Sequence, residues 1–372
     1  MVGLRLCLPR PGGAGWNTRS FLYAFALGAA GGFAAALIGL PLPMLLGSVV
    51  TVGAAAMFGP LPGGLLPSIP GRLRTFFIPI IGVSIGSAFT AEILNDIGRW
   101  WPSLLALFFF VPLAHGIGFT MLRQGGIEPV TAYWGSVPGG LIESVMMGEE
   151  AGADVAMLTM LQFLRLILCI IVVPLGFTLV TGHAVGSSAG VEMGNGAALA
   201  LLDWAVLALA GIIGYFVGQW LRFPAAFLTG PILISAIFHL VGLVEGAPPS
   251  WLIQIVQLVV GVSLGTRFAG SAPAAVLRAA RLAGTNVALV LALAAVAALV
   301  LPRLTGEPWQ AVVLAFAPGG VAEMSLVALS LDIAVLYVTA HHLLRIVLSI
   351  GIAKVFSARV LANEKGRPAG RP

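Results

Sequence analysis

The chain has 372 residues; 59% are hydrophobic, only 9% are charged, and the mean hydropathy is +1.04. A soluble globular chain carries about 25% charged residues, so this composition excludes a soluble enzyme and points to a polytopic membrane protein. The net charge of +5 is scattered over short loops and the tail RVLANEKGRPAGRP, whereas a nucleic-acid reader needs a clustered basic face; the expected partner is the lipid bilayer, and no nucleic acid is expected.

Apolar runs of about 20 residues, enough to cross ~30 Å of hydrocarbon, recur along the whole length. The basic start (Arg5, Arg10, Arg19) before an apolar stretch has the form of a signal peptide. That stretch has a counterpart later in the chain, so it reads as the first span, with 1–19 a cytoplasmic tail. Spans follow near 21–39, 42–59, 74–92 and 101–121. Segment 130–148 contains VPGGLIESVMMG, and a closing span covers 155–180. A Gly-rich linker, 181–203, leads to spans near 204–221, 225–243, 251–268 and 282–301. Segment 310–330 contains APGGVAEMSLVA, a last span covers 333–357, and 359–372 is a basic tail. The Pro-containing joints GLPLP (39–43) and RFPA (222–225) predict tight hairpins.

The second set of elements repeats the first. GGFAAALIGLPLPMLLG (31–47) aligns with GYFVGQWLRFPAAFLTG (214–230), GVSIGSAF with GVSLGTRF, PGGLIE with PGGVAE, and QFLRLIL with HLLRIVL. The offsets lie between 179 and 183 residues, which marks a duplication of 20–180 as 204–358. If the PGG segments cross the membrane the halves are parallel; if they dip in and return, the halves are inverted. With the intramembrane Arg165 and Arg345 set aside, 17 lysines and arginines remain, and the inverted arrangement puts 15 of them inside, leaving Arg99 and Arg303 outside. The parallel arrangement puts 12 inside, so the positive-inside rule favours inversion. The expected fold is an all-α membrane protein of two homologous halves, with about ten transmembrane helices and two PGG-broken segments, re-entrant or discontinuous.

The breaks carry the candidate site. Pro138 and Pro318 remove a backbone donor, and Gly139, Gly140, Gly319 and Gly320 tolerate non-helical angles. Such breaks survive in a bilayer where they line a cavity, and paired breaks in two halves point to a transporter's binding site. Glu143 and Glu323 fall in the first turn after each break, where the helix N-terminus attracts negative charge. Arg165 and Arg345 lie deep in the closing spans, where an arginine costs about 2.5–3.5 kcal/mol. The expectation is ion pairs, Glu143 with Arg165 and Glu323 with Arg345, within or across the halves. Gln162 and His342 occupy equivalent positions beside the arginines. Adjacent His341 and His342 diverge by about 100° on a helix, so one is expected beside Arg345 and the other on a neighbouring helix. The five histidines form no ligand-spaced cluster, and Cys7 and Cys169 form no disulfide framework; no metal, cofactor or catalytic residue is expected.

The bland readings are that PGG lets helices pack closely, that the Glu and Arg residues specify the fold, and that the pairs Gly28/Gly32, Gly82/Gly86, Gly214/Gly218 and Gly261/Gly265 are packing surfaces. Recurrence of break and arginine together in both halves favours a functional reading of the first two. PGG–x–x–E followed by [Q/H]–x–x–R, twice, resembles the bacterial AbrB membrane family, which is distinct from the small soluble DNA-binding protein of that name. The resemblance covers about 20–358. APGGVAEMSLVA with TAHHLLR is the nearer copy; the first departs at Ser144, where Met is usual, and the second has Ala334 where Asp is expected.

The resemblance implies a multi-pass protein of the bacterial inner membrane, and the positive-inside count expects both termini in the cytoplasm. Labels attached to the family, ammonia monooxygenase and regulator of gene expression, help little. The first implies a metal, which needs clustered ligands, so an enzyme is not expected. The leading reading is a secondary transporter or exporter of a small solute or ion. In it Glu143 and Glu323 are ion- or proton-linked acids, and Arg165 and Arg345 are counter-ions or contacts to an anionic substrate. The alternative is a membrane-embedded regulator acting indirectly through a partner. The substrate, the coupling ion and assembly into a homo-oligomer stay open.

Overall fold

The computed structural model describes residues 18–57, 66–89, 97–182, 185, 199–223, 225–331 and 333–365. Cys7, most of the 181–203 linker, Asp332 and the end of the basic tail lie outside them. Fourteen α-helices make up the described chain: α1 (Thr18–Leu37), α2 (Pro43–Met57), α3 (Gly71–Gly86), α4 (Trp101–Gln124), α5 (Pro129–Gly135), α6 (Leu141–Glu150) and α7 (Val155–Thr181), then α8 (Leu201–Trp220), α9 (Ala226–Leu240), α10 (Ser250–Gly265), α11 (Pro273–Thr305), α12 (Trp309–Phe316), α13 (Val321–Ser330) and α14 (Val335–Lys365).

Seven of these, α1, α4, α7, α8, α10 with the turn after it, α11 and α14, are long and apolar enough to cross a membrane. Of the other three expected spans, α3 and α9 are shorter, with 16 and 15 residues, which at 1.5 Å per residue reach only about 22–24 Å; α2 is followed to Met57, where the described residues break off. α11 is longer than expected: it starts at Pro273 and takes Arg278 and Arg281 into its first turns.

Small residues set how the helices meet. At the α1–α2 crossing, a Cβ on Gly47 would overlap the carbonyl of Gly31; at the α8–α9 crossing, one on Gly230 would overlap the carbonyl of Gly214. These are the glycines that begin and end the aligned stretches 31–47 and 214–230. The next contacts exchange partners. Gly82 and Gly86 of α3 seat α9 at Leu228, Pro231 and Ser235, while Gly261 and Gly265 of α10 seat α2 at Leu45, Ser48 and Val52. The glycine pairs therefore act as packing surfaces, as small residues do between membrane helices.

The contacts sort the helices into two groups, α1–α3 with α8–α10, and α4–α7 with α11–α14. α3 against α13 and α2 against α7 are the main contacts between the groups, and one apolar core runs through both. Hydrogen bonds fix the helix directions. Trp100, at the start of α4, donates its Nε1–H to Glu307 after the end of α11 (2.9 Å), and Arg278, early in α11, donates to the Gly125 carbonyl after α4 (3.1 Å). α4 and α11 are therefore antiparallel.

So are α7 and α14. α14 begins with Tyr337 against the Trp100 ring (centroids 5.5 Å apart) and by Ala353 has reached the hydroxyl of Tyr133. α7 begins beside α5, where the Asp154 N–H meets Thr131 Oγ1 (2.9 Å), and its last turns bring Phe177 against Trp309. Thr131 lies in the first turn of α5 and Asp154 follows α6, so the segment 129–150 enters and leaves on one face of the molecule. Glu307 before α12 and Tyr337 after α13 both meet Trp100, so 309–330 enters and leaves on the opposite face.

Candidate functional site

Each PGG sequence ends one short helix and starts another. α5 stops at Gly135 and α6 begins at Leu141; α12 stops at Phe316 and α13 begins at Val321. Gly140 takes φ +64°, a left-handed angle at which a side chain is strained, whereas Gly320 is extended at φ −81°. The two breaks are alike in sequence and differ in backbone path.

Ending a helix in the interior frees carbonyls that must find donors. The closing helices supply them. Arg165 Nη1 donates to the carbonyl of Val137, and Gln162 Nε2 to the carbonyls of Trp134 (2.8 Å) and Gly135 (3.3 Å). In the second half Arg345 Nη1 donates to Ala317 and Nη2 to Gly319 (2.8 Å), while His342 Nε2 reaches Leu314 (2.8 Å). Since a carbonyl only accepts, His342 carries its proton on Nε2, and its Nδ1 accepts from Arg345 Nη2 (3.0 Å). Gln162 to Trp134, Arg165 to Val137, His342 to Leu314 and Arg345 to Ala317 all span 28 residues. Each arginine thus sits at the negative end of a half-helix, where a cation is favoured. His341 does turn to a neighbouring helix, with Nε2 2.8 Å from Ser103 Oγ on α4.

The expected ion pairs do not form. Both arginines are spent on backbone carbonyls, and no carboxylate lies within ion-pair distance of either among the described residues. Glu143 is exposed on α6. Glu323 is buried and folds back over its own break: a Cβ on Gly320 would overlap its Oε2. The cation whose charge faces Glu323 is Arg74, from α3 of the other group of helices, whose Nε has no hydrogen-bond partner. Beside this seam Arg267 lies over the Phe163 ring of α7, 5.4 Å from its centroid. Arg74 carried no sequence signal, because an arginine in the first turn of a span reads as an ordinary loop cation.

Each break also touches the closing helix of the other half. A Cβ at Gly139 would lie 3.1 Å from Ser349 Oγ on α14, and one at Gly320 would lie 3.1 Å from Leu166 Cδ1 on α7. Pro138, Gly139 and Pro318 are buried, while Gly140, Gly319 and Gly320 are half-buried. Cys169, one turn beyond Arg165, is a buried free thiol facing the charges of Arg345, Arg165 and Glu323. Its counterpart at the 180-residue offset is Ser349. Offset matching would have found this pair, but neither residue type stands out in an apolar run.

Comparison with known proteins agrees with the motif reading. The profile of a family described as "Transition state regulatory protein AbrB" matches residues 44–361. A Bacillus subtilis (strain 168) protein named "Uncharacterized protein YhjN" is 28% identical over 356 residues, covering 91% of this chain and 93% of that protein. An Escherichia coli (strain K12) protein named "Putative regulator AbrB" is 26% identical over 309 residues, 80% of this chain and 87% of that protein.

Proposed function

The chain belongs to the AbrB family, and on that premise we propose that it is a secondary transporter or exporter of a small solute, built as two inverted repeats around the meeting point of the two breaks. The antiparallel courses of α4 with α11 and of α7 with α14 support the inversion, as do broken segments entering from opposite faces. Charge supports the orientation. Arg123, Arg278 and Lys354 lie at the face where α14 ends, and Arg99 and Arg303 at the other, so the first face is cytoplasmic by the positive-inside rule.

One observation carries the transporter reading. Glu143 and Glu323 hold equivalent places after equivalent breaks, yet Glu143 is exposed and Glu323 is buried. α3 packs on α13, whereas its counterpart α10 makes no comparable contact with α6. A transporter caught open to one side presents such an asymmetry, because alternating access shuts one of two related pathways at a time. In the opposite state Glu143 is covered and Glu323 uncovered.

The test is flux in proteoliposomes, measured for a panel of small anionic, cationic and neutral solutes under an imposed pH gradient. Protein-dependent flux of one class is expected, and loss of that flux in Glu143→Gln and Glu323→Gln proteins that insert normally. No flux across the whole panel contradicts transport; unchanged flux in the double variant contradicts proton coupling through these acids.

The metal implied by the monooxygenase label finds no fit among the described residues, where no three His, Cys, Asp or Glu side chains are grouped to hold an ion. A regulatory role is the alternative; it rests on the words of the family description and of the Escherichia coli relative's name.

A further inference from the structure

Arg165 and Arg345 are 5% and 1% exposed, on two different helices, and the charge of Arg165 bears on Arg345. Two like charges in the interior need compensation. The carbonyls of α5 and α12 supply part of it, since a helix C-terminus carries about half a negative charge. Two such ends leave about one positive charge unbalanced, and the one buried acid among the described residues, Glu323, already faces the charge of Arg74.

Hydrogen bonding is also incomplete there. Nε of Arg165 and Nε of Arg345 are buried with no partner, and so is Ser349 Oγ, one turn beyond Arg345 and against Gly139. These are three unused donors on α7 and α14, beside two breaks where one backbone packs on the other half's helix. We infer that Arg165, Arg345 and Ser349 form a binding site for a small oxyanion, the carboxylate of an organic acid or an inorganic oxyanion, at the centre of the molecule. The guanidinium Nε–H groups and the Ser349 hydroxyl donate to its oxygens, and the bound charge balances the arginines. The substrate of the proposed transporter is then an anion; as a substrate assignment, the inference rests on the transporter reading.

Binding is tested on the purified full chain, independently of flux. Thermal unfolding is followed while sodium acetate, sodium phosphate or sodium sulfate is titrated against sodium chloride at matched ionic strength. A saturable rise in midpoint is expected with at least one of the three. Acetate alone identifies a carboxylate site, and phosphate or sulfate alone an inorganic one.

In Arg165→Gln the apparent affinity should fall about tenfold or more, as for loss of a charge-assisted hydrogen bond. Because that substitution also disturbs the Val137 carbonyl, Ser349→Ala is the second variant; it removes an unpartnered hydroxyl, so its midpoint without anion should be unchanged while its affinity falls severalfold. No saturable response to any of the three salts, or one that is the same in both variants, overturns the site. Anion binding without flux leaves the site standing and sinks transport; flux without anion binding does the reverse.

Discussion

Arg345 shows what a buried charge does in this chain. Its guanidinium holds the carbonyls of Ala317 and Gly319 and the ring of His342, so it spans the break and ties it to α14. Replacing it with leucine leaves at least two interior carbonyls without a donor, at about 1–3 kcal/mol each. Glu143 is exposed and bonds to nothing that positions the break. Arg345→Leu should therefore lower the thermal midpoint of purified protein by many degrees, whereas Glu143→Leu should leave it within a degree or two, the small shift expected of a surface substitution. Equal effects would mean that the arginine does not anchor the break.

At the scale of the element, the legible features were those a helix writes into its own sequence. Both PGG breaks are where Pro and Gly forbid helix, and both hairpins turn at the Pro-containing joints. The aligned glycines become the α1–α2 and α8–α9 crossings. The partner of each deep arginine was not legible, because a backbone carbonyl has no letter. Sequence reasoning pairs Arg with Glu, while the fold pairs it with a freed carbonyl 28 residues earlier. Nor could it see that α3 and α9 stop short of a full span, since apolar residues continue into the joints around them.

The crossings make a prediction of their own. Gly47→Leu or Gly230→Leu pushes a side chain into the backbone of Gly31 or Gly214, and overpacking of this kind costs about 1–3 kcal/mol. Each should lower the unfolding midpoint, while Gly116→Leu, with open space around it on α4, should not. If the three are indistinguishable, close approach does not hold the hairpins.

Across the whole molecule three things go together: α4 and α7 run opposite to α11 and α14, the broken segments enter from opposite faces, and cations concentrate at one face. The first two follow from hydrogen bonds at the helix ends. On the proposed inverted arrangement each half crosses the membrane an odd number of times, and the linker between α7 and α8 lies on the far side of the membrane from both termini. Parallel halves would put that linker on the cytoplasmic side and would leave the breaks crossing rather than meeting. Inversion is therefore decided by sidedness, and Ala200, exposed at the start of α8, is placed to report it. The decisive measurement is labelling of a single cysteine at Ala200, in a chain lacking Cys7 and Cys169, by a membrane-impermeant maleimide in intact cells, with Ala269→Cys on the opposite face as the control. Inverted halves predict that Ala200→Cys labels from outside and Ala269→Cys only after permeabilisation. Protection of Ala200→Cys in intact cells, with labelling once they are permeabilised, would contradict the account.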